Sequence, residues 1–457
     1  MILKPFDRLT TKLFKSCDIA SIVFFRISFG LIMLLEVLRY FYYQSIEDYF
    51  IIPEFHFTYY GFEWIAPWKG IGMYTHFIAL GISAFFLLIG FFYHFAATLF
   101  FLGFTYIFLL DQALYLNHFY LICLLSFLMI FIPAHRSFSI DSWRNSKLYS
   151  PYIPIWALWM LRFQIGIPYF FGGIAKLNRD WLKGEPIRMW LADLAPDYVL
   201  GSYFTEEWVV YFLTYGGLIF DLFVIPCLLW KKTRLLAFLT TIFFNLTNLW
   251  LFNIGVFPWL MVAGTTLFFD SNWPRKMLWA SQIPPIEPAY PKTLNVSQKL
   301  GLTCLGVYIC LQIFMPLRHF LYPGNVAWTE QGHLFSWHMK LRDKEGWGQF
   351  LVYRRETEET YLIFPQEWLT PRQYYTMATR PDMIIQFAHF LNSHLKNSPQ
   401  DSLEVYADFY VSLNGRDFQR IIEPTADLTQ EERSLMPVSW IHPLDSQSVA
   451  GSRFKEN

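Results

Sequence analysis

The sequence predicts a polytopic α-helical membrane protein of about nine transmembrane helices, followed by a C-terminal β-rich extramembrane domain. Three observations lead there. The chain is 54% hydrophobic and 20% aromatic but only 16% charged, where a soluble domain carries about 25%. Apolar runs approaching the roughly 20 residues that span a bilayer recur as far as residue 317. From residue 318 the pattern changes to alternating polar and apolar residues, as in LEVYADFYVSLNGRDFQRIIEP, the period of a half-buried strand. The expected domains are therefore residues 1–317 and 318–457.

The nine runs lie near residues 20–43, 73–93, 95–111, 118–134, 153–175, 207–230, 234–253, 256–270 and 298–317. The first is too long for a signal-peptide core and has no small-residue cleavage site, so it reads as a retained anchor. Charge orients the runs, because cytoplasmic loops collect Lys and Arg. Lys4, Arg8, Lys12 and Lys15 precede run one, and Glu47, Asp48, Glu54 and Glu63 follow it. Basic residues return in Arg136, Arg144 and Lys147, in Lys231 to Arg234, and in Arg275, Lys276 and Lys292. Nine alternating spans from a cytoplasmic N-terminus put all three basic loops inside and the tail outside.

In the tail, Asn414-Gly415 between two alternating runs signals a hairpin. HLFSWHMKLRD and QFLVYRRETEETYLIF read as a strand pair, and PRQYYTMATRPDMIIQFAHFLNSHL as helical. Zero net charge suggests no nucleic-acid partner. Cys17, Cys123, Cys227, Cys304 and Cys310 form neither a disulfide framework nor a metal spacing. No histidine or carboxylate set stands at metal-ligand spacing, so no metal is expected. Asn295-Val-Ser matches a glycosylation acceptor but falls on the cytoplasmic side of this topology.

The stretch IPIWALWMLRFQIGIPYFFGGIAKLNRDWLKG ends an apolar run at Lys176, beside two glycines and before a Trp-rich amphipathic segment. Two roles stand open for Lys176: an interfacial anchor that snorkels to headgroups, or a neutral amine acting as a base on a membrane-soluble substrate. Asp111, Asn117 and His118 fall on the same outer side. Arg162 is expected to hold together the polar interior around Lys176. Asp221, Asn245 and Asn248 are expected to form an interhelical hydrogen-bond network.

Several motifs then resemble one family. LLDQALYLNHFYL, SFSIDSW, YFFGGIAKLNRDWLKG, the GG-x3-D of run six, LFNIGVFPW, WPRK, FSWHMKL, VYADFYVSLNGRDFQRIIEP and SWIHPL follow one another as in the vitamin K-dependent gamma-glutamyl carboxylases. The N-terminal part also corresponds to the broader membrane domain of their bacterial relatives. The resemblance implies an integral-membrane lyase whose cofactor is reduced vitamin K, a naphthohydroquinone, with O2 and CO2 as co-substrates. A lysine takes a quinol proton, the anion and dioxygen generate a far stronger base, and that base removes a glutamate γ-proton before CO2 adds. A lysine alone cannot take the γ-proton, but with its pKa lowered by burial it can deprotonate a phenolic quinol.

Carried over residue by residue, the resemblance implies Lys176 as the base, with Ala175 where the family often has a second lysine. It implies that Asn117 and His118 place reacting groups or stabilise the carbanion. Phe252, Asn253 and Trp259 match the quinone-side region. Trp337 and Met339 match the outer-domain quinol motif, with Phe335 in its tyrosine place, and Arg420 matches a peptide-binding arginine. Met339-Lys340 replaces two methionines, the animal interdomain bridge has no counterpart, and the chain ends soon after SWIHPL. The implied partners are membrane lipid, the quinol and a glutamate-containing protein or peptide. A quinol epoxidase without carboxylation and a non-catalytic quinone-binding membrane protein are the alternative readings.

Overall fold

The structure, a computed structural model, describes residues 11–199, 201–252, 255–277, 293–396, 398, 402–445 and 447–451. Lys4, Arg8, Asn253, Lys292 and the Phe252 side chain lie outside that description. Each of the nine apolar runs carries a helix: α1 (Ala20–Tyr42), α2 (Ile71–Ile89), α3 (Tyr93–Leu110), α4 (Asn117–Phe131), α5 (Ile155–Ala175), α6 (Glu207–Leu229), α7 (Arg234–Phe252), α8 (Phe257–Thr265) and α9 (Val296–Leu317). Six of them, α1, α2, α3, α6, α7 and α9, are long and apolar enough to cross a bilayer by themselves. α4 and α8 are shorter, and α5 has the length but carries Arg162, Gln164 and Pro168. Among the described residues, length and composition alone thus support six of the nine expected spans.

Contacts sort the helix ends into two groups. At one end the strand β1 (Ser16–Asp18) pairs with β2 (Tyr152–Pro154), and Arg275 meets Asp18 at 3.0 Å. Buried Arg26 donates to the carbonyls of Ala134 (2.9 Å) and Phe138 (2.7 Å). Gly90 ends α2 at φ 65°, and a Cβ there would lie 2.7 Å from the Arg26 guanidinium, so glycine is required. Asp141 of SFSIDSW accepts the N–H groups of Phe92 (3.0 Å) and Tyr93 (2.9 Å), satisfying the start of α3. Arg162 belongs to this end too. It donates to Leu267 O at 2.8 Å and Phe269 O at 3.0 Å, and 14 helical residues put it roughly 20 Å from Lys176. It does not hold the surroundings of Lys176, because α5 carries the two to opposite ends. Asn295 caps α9 through a capping box with Gln298, a structural job for the apparent glycosylation motif.

At the other end sits the C-terminal domain, an antiparallel sheet ordered β4 (Glu359–Ile363), β3 (Lys344–Arg354), β5 (Leu403–Leu413), β6 (Gln419–Arg420). Leu403, Val405, Ala407, Phe409, Val411 and Leu413 are all buried, so β5 follows its period-two pattern up to its end, where Ser412 is buried as well. Burial of each large apolar side chain stabilises by about 1.5–3 kcal/mol. The expected helical segment forms two helices, α10 (Pro371–Met377) and α11 (Pro381–His394). Pro381 breaks them, since it lacks an N–H and disfavours helical geometry at Arg380.

One expectation in this domain fails. HLFSWHMKLRD is not a strand: Phe335, Trp337 and Lys340 have φ of 63°, 59° and 49°, which a strand excludes. The strand pair forms one segment later, β3 against β4. The expected hairpin forms: Asn414 and Gly415 turn with positive φ and β5 pairs antiparallel with β6, although the register sets Val411 opposite Gln419, so the loop is longer than two residues. The loop opens because Asn414 and Arg416 turn away to bind Asp180 of the membrane domain.

Candidate active site

α5 ends in Phe171-Gly172-Gly173-Ile174-Ala175, and Lys176 caps it, its N–H donating to the carbonyls of Gly172 and Gly173 at 3.2 Å. The glycines set how closely α6 approaches. A Cβ on Gly173 would lie 2.7 Å from Leu222 Cδ2 and 3.1 Å from the Leu222 backbone nitrogen. A Cβ on Gly172 would touch Asp221 Oδ2 and Met339 Cε, both at 3.4 Å. Gly173→Val is expected to destabilise the helix pair by about 1–3 kcal/mol. Gly216→Ala, whose added Cβ meets nothing within 4 Å, is the comparison, and thermal unfolding in detergent distinguishes them.

That close approach brings Lys176 and Asp221 together. Both are buried, 7% and 4% exposed, and Nζ of Lys176 donates to Oδ2 of Asp221 in a direct ion pair. The Trp181 ring lies 5.2 Å from Nζ, and its own Nε1 is anchored on Thr214 O at 3.1 Å. The pair lines an otherwise largely apolar cavity of about 260 Å³, walled by Tyr169, Phe220, Phe244 and Phe257. Phe220 stacks on Phe244 at 4.2 Å and Tyr169 meets Phe220 at 5.6 Å. Phe212 on α6 and Phe243 on α7 also line it while remaining 65% and 68% exposed. The cavity wall thus reaches the exposed faces of α6 and α7.

The C-terminal domain supplies the remaining wall through the irregular strap before β3. Left-handed Phe335, Trp337 and Lys340 cost about 1–3 kcal/mol each in backbone strain, so contacts must hold them. Trp337 is fully buried and packs 5.0 Å from Tyr120. Tyr115 Oη accepts the Phe335 N–H at 2.8 Å, and Asn117 Nδ2 donates to His338 O at 3.2 Å. Met339 and Lys340 then reach the cavity. Lys340 Nζ lies 5.3 Å from the Trp190 ring, and Trp190 Nε1 donates to Asp343 Oδ2 at 2.5 Å. Burial pushes the Lys340 amine below its ordinary value, opposed by nearby Asp343.

A second contact fixes the segment after Lys176. Arg416 grips both oxygens of Asp180 at 2.8 Å, and Asn414 Nδ2 adds a bond at 2.9 Å. Burial opposes the charge on Asp180, but Arg416 and Asn414 outweigh it and hold the carboxyl below its ordinary range.

The structure brings Lys176 and Met339 into one cavity. Asn117 and His118 stand behind the wall: Asn117 holds the strap, and the His118 ring lies 5.7 Å from Phe257. The Trp337 ring packs on Tyr120 and supports the strap. Trp259 is 52% exposed, while Phe257 and Met261 of the same helix face the cavity. Arg420 lies on the edge strand, 3.1 Å from Asp408 and 5.3 Å from the Tyr410 ring, away from the cavity. Asp221, Asn245 and Asn248, read from sequence as bundle network, line the cavity, and two of them bond between helices as well, Asp221 to Lys176 and Asn245 to Tyr169 Oη at 3.5 Å. The signal for Asp221 was GG-x3-D: Gly217 and Asp221 are four apart and share a helix face, the face α5 approaches.

Residues 14–273 match the family model described as the HTTM domain. Residues 297–447 match the model of the vitamin K-dependent gamma-carboxylase lumenal domain. The chain belongs to the vitamin K-dependent gamma-carboxylase family. No solved structure matches it. The carboxylase match to the lumenal domain begins at the start of α9 and takes in the strap, β3 to β6, and the Asp180 clamp residues Asn414 and Arg416. The HTTM match contains Lys176, Asp221, Asn117 and His118. Both halves of this gamma-carboxylase family chain therefore contribute walls to one cavity.

Proposed function

We propose that this protein oxidises reduced vitamin K with O2 to the epoxide in the Lys176 cavity, and couples that oxidation to γ-proton abstraction and CO2 addition at a glutamyl residue. The observation that carries this reading is the buried Lys176–Asp221 pair in an aromatic-walled cavity that reaches the exposed faces of α6 and α7. The cavity fits the group: about 260 Å³ lies near the lower end of small-ligand sites. Its rings suit a flat bicyclic molecule, and its polar pair meets a phenolic hydroxyl. When bound, the quinol supplies that acidic hydroxyl and, with O2, the strong base no lysine can match.

The protein's part is proton acceptance and exclusion of water. Lys176 and Asp221 share one proton across their hydrogen bond. With that proton on the Asp221 carboxyl the Lys176 amine is neutral and takes the quinol proton, which leaves the pair positive beside the anionic ligand and the cavity balanced. This is cheaper in an apolar site than an unpaired charge. Tyr169 and Phe257 orient the ring system, and Met339 closes the outer wall. Asn117 positions that wall by holding His338 O, and His118 supports Phe257. Arg420, on an exposed edge strand, is the proposed contact for an acidic peptide. We also propose that the cavity opens on the extracytoplasmic side and that the N-terminus is cytoplasmic, as the basic loops suggest.

The test supplies reduced vitamin K, O2, labelled bicarbonate and a Glu-rich peptide to purified protein. Epoxide with label in the peptide is expected. Epoxide without label would reduce the reading to quinol epoxidation, and neither product would sink it. For sidedness, cysteines introduced at Leu177 and at Arg355 in the tail should react with an impermeant reagent from one side, and one at Lys232 from the other. Reaction of Leu177 and Arg355 sites from opposite sides would refute the shared outer face.

A further inference from the structure

A second cavity, of about 290 Å³, lies where the helix ends meet the C-terminal domain. Leu109 at the end of α3 and Met315 at the end of α9 form one side, and Arg380 and Trp440 of the C-terminal domain form the other. Its carboxylates are already engaged. Glu330 is bound by Arg342 and by Lys344 at 3.0 Å. Asp382 receives Nε and Nη2 of Arg433, both at 3.0 Å. Two of the lining guanidiniums are less fully used. Arg318 gives Nη2 to Leu334 O and Nη1 to Met315 Sδ, both at 2.6 Å, and lies 5.6 Å from the Phe335 ring. Among the described residues, the hydrogen bonding of the Arg380 guanidinium is one long contact to Gln112 O at 3.4 Å. Burial presses its guanidinium below the ordinary value.

Three lining guanidiniums, Arg318, Arg380 and Arg433, therefore outnumber the two lining carboxylates, Glu330 and Asp382, and the half-buried Arg380 guanidinium is left with donors to spare. A guanidinium out of water calls for a charged acceptor. The mouth indicates where that acceptor comes from. Tyr60, Phe62 and Leu435 line the cavity while 49%, 40% and 60% exposed. Phe320 and Leu321, next to Arg318 in the chain, are 67% and 80% exposed. Aromatic and apolar side chains at helix ends mark the membrane–water interface, and basic pockets at that level take lipid headgroups. We propose that this cavity binds the anionic headgroup of a membrane amphiphile, an acidic phospholipid, with Arg380 and Arg318 on the headgroup and Tyr60, Phe62 and Leu435 against the start of its chains. The site lies outside the Lys176 cavity and stands independently of the proposed reaction.

The experiment uses the full chain in nanodiscs of phosphatidylglycerol and phosphatidylcholine, with native mass spectrometry after release. Preferential retention of phosphatidylglycerol is expected. Arg380→Gln should lower its occupancy about tenfold, the loss of one charge-assisted bond, and Arg380→Lys should keep most of it. Arg318→Gln, and Leu109→Trp, which fills the cavity and leaves the charges, provide the test should Arg380→Gln misfold. Displacement by oleate but not by inorganic phosphate supports an amphiphile and widens the headgroup to carboxylates. Resistance to both restricts the site to phospholipid. Displacement by inorganic phosphate, equal retention of phosphatidylcholine, or wild-type occupancy in the Arg318 and Leu109 variants would overturn the proposal.

Discussion

Lys176→Met is expected to lower quinol oxidation by about 100- to 10,000-fold, the usual range for removing a positioned proton acceptor. Epoxide formed per turnover measures it. The structure adds a condition that Lys176 alone does not reveal: the variant strands Asp221, 4% exposed, and breaking a buried pair costs about 3–5 kcal/mol. Asp221→Asn should lose comparable activity, because it removes the partner that makes the pair a single acceptor. The double variant should be more stable than either single one and no less inactive, as members of a unit are not additive. Full epoxidation by Lys176→Met, or independent and additive effects of the two changes, would refute the pair as proton acceptor.

The second large effect concerns the clamp between domains. Asp180→Ala and Arg416→Ala should each destabilise the junction by about 3–5 kcal/mol, since each leaves a buried charge unpaired. Limited proteolysis at the strap and hydrogen exchange in β3 report the loosening. The double variant should lose less than the sum, whereas additive losses would mean that the two residues do not act as a pair. The pH dependence follows from the depressed Asp180 value. The contribution is fully present above the ordinary carboxyl value of 3.8 and is lost as pH falls through the lower folded value. The clamp should therefore hold unchanged from neutral pH down to about pH 4, and a loosening centred near pH 6 would count against it.

Much of the architecture was legible because its signals are local. Apolar runs become helices wherever backbone groups must bond internally, and β5 buries every second residue as its alternation requires. Residues 333–343 misled for a local reason too. FSWHMKL alternates well enough for a strand, but its Trp and Met are drawn to the helix bundle instead, and the backbone bends through left-handed positions to deliver them. Asn414-Gly415 correctly announced a turn, yet its partner across the domain boundary set the loop length.

Sequence by itself determined the membrane class, the β-rich C-terminal domain, the family motifs and Lys176 as the residue to follow. Each of these is written in composition, short-range period or contiguous motif. Only the tertiary structure decided that Lys176 is bound to Asp221, 45 residues away, and Asp180 to Arg416, 236 residues away. It also decided that Arg162 serves the opposite end of α5. Those pairings depend on helix rotation and on how closely α6 can approach Gly173, and neither is expressed in any stretch of sequence short enough to read alone.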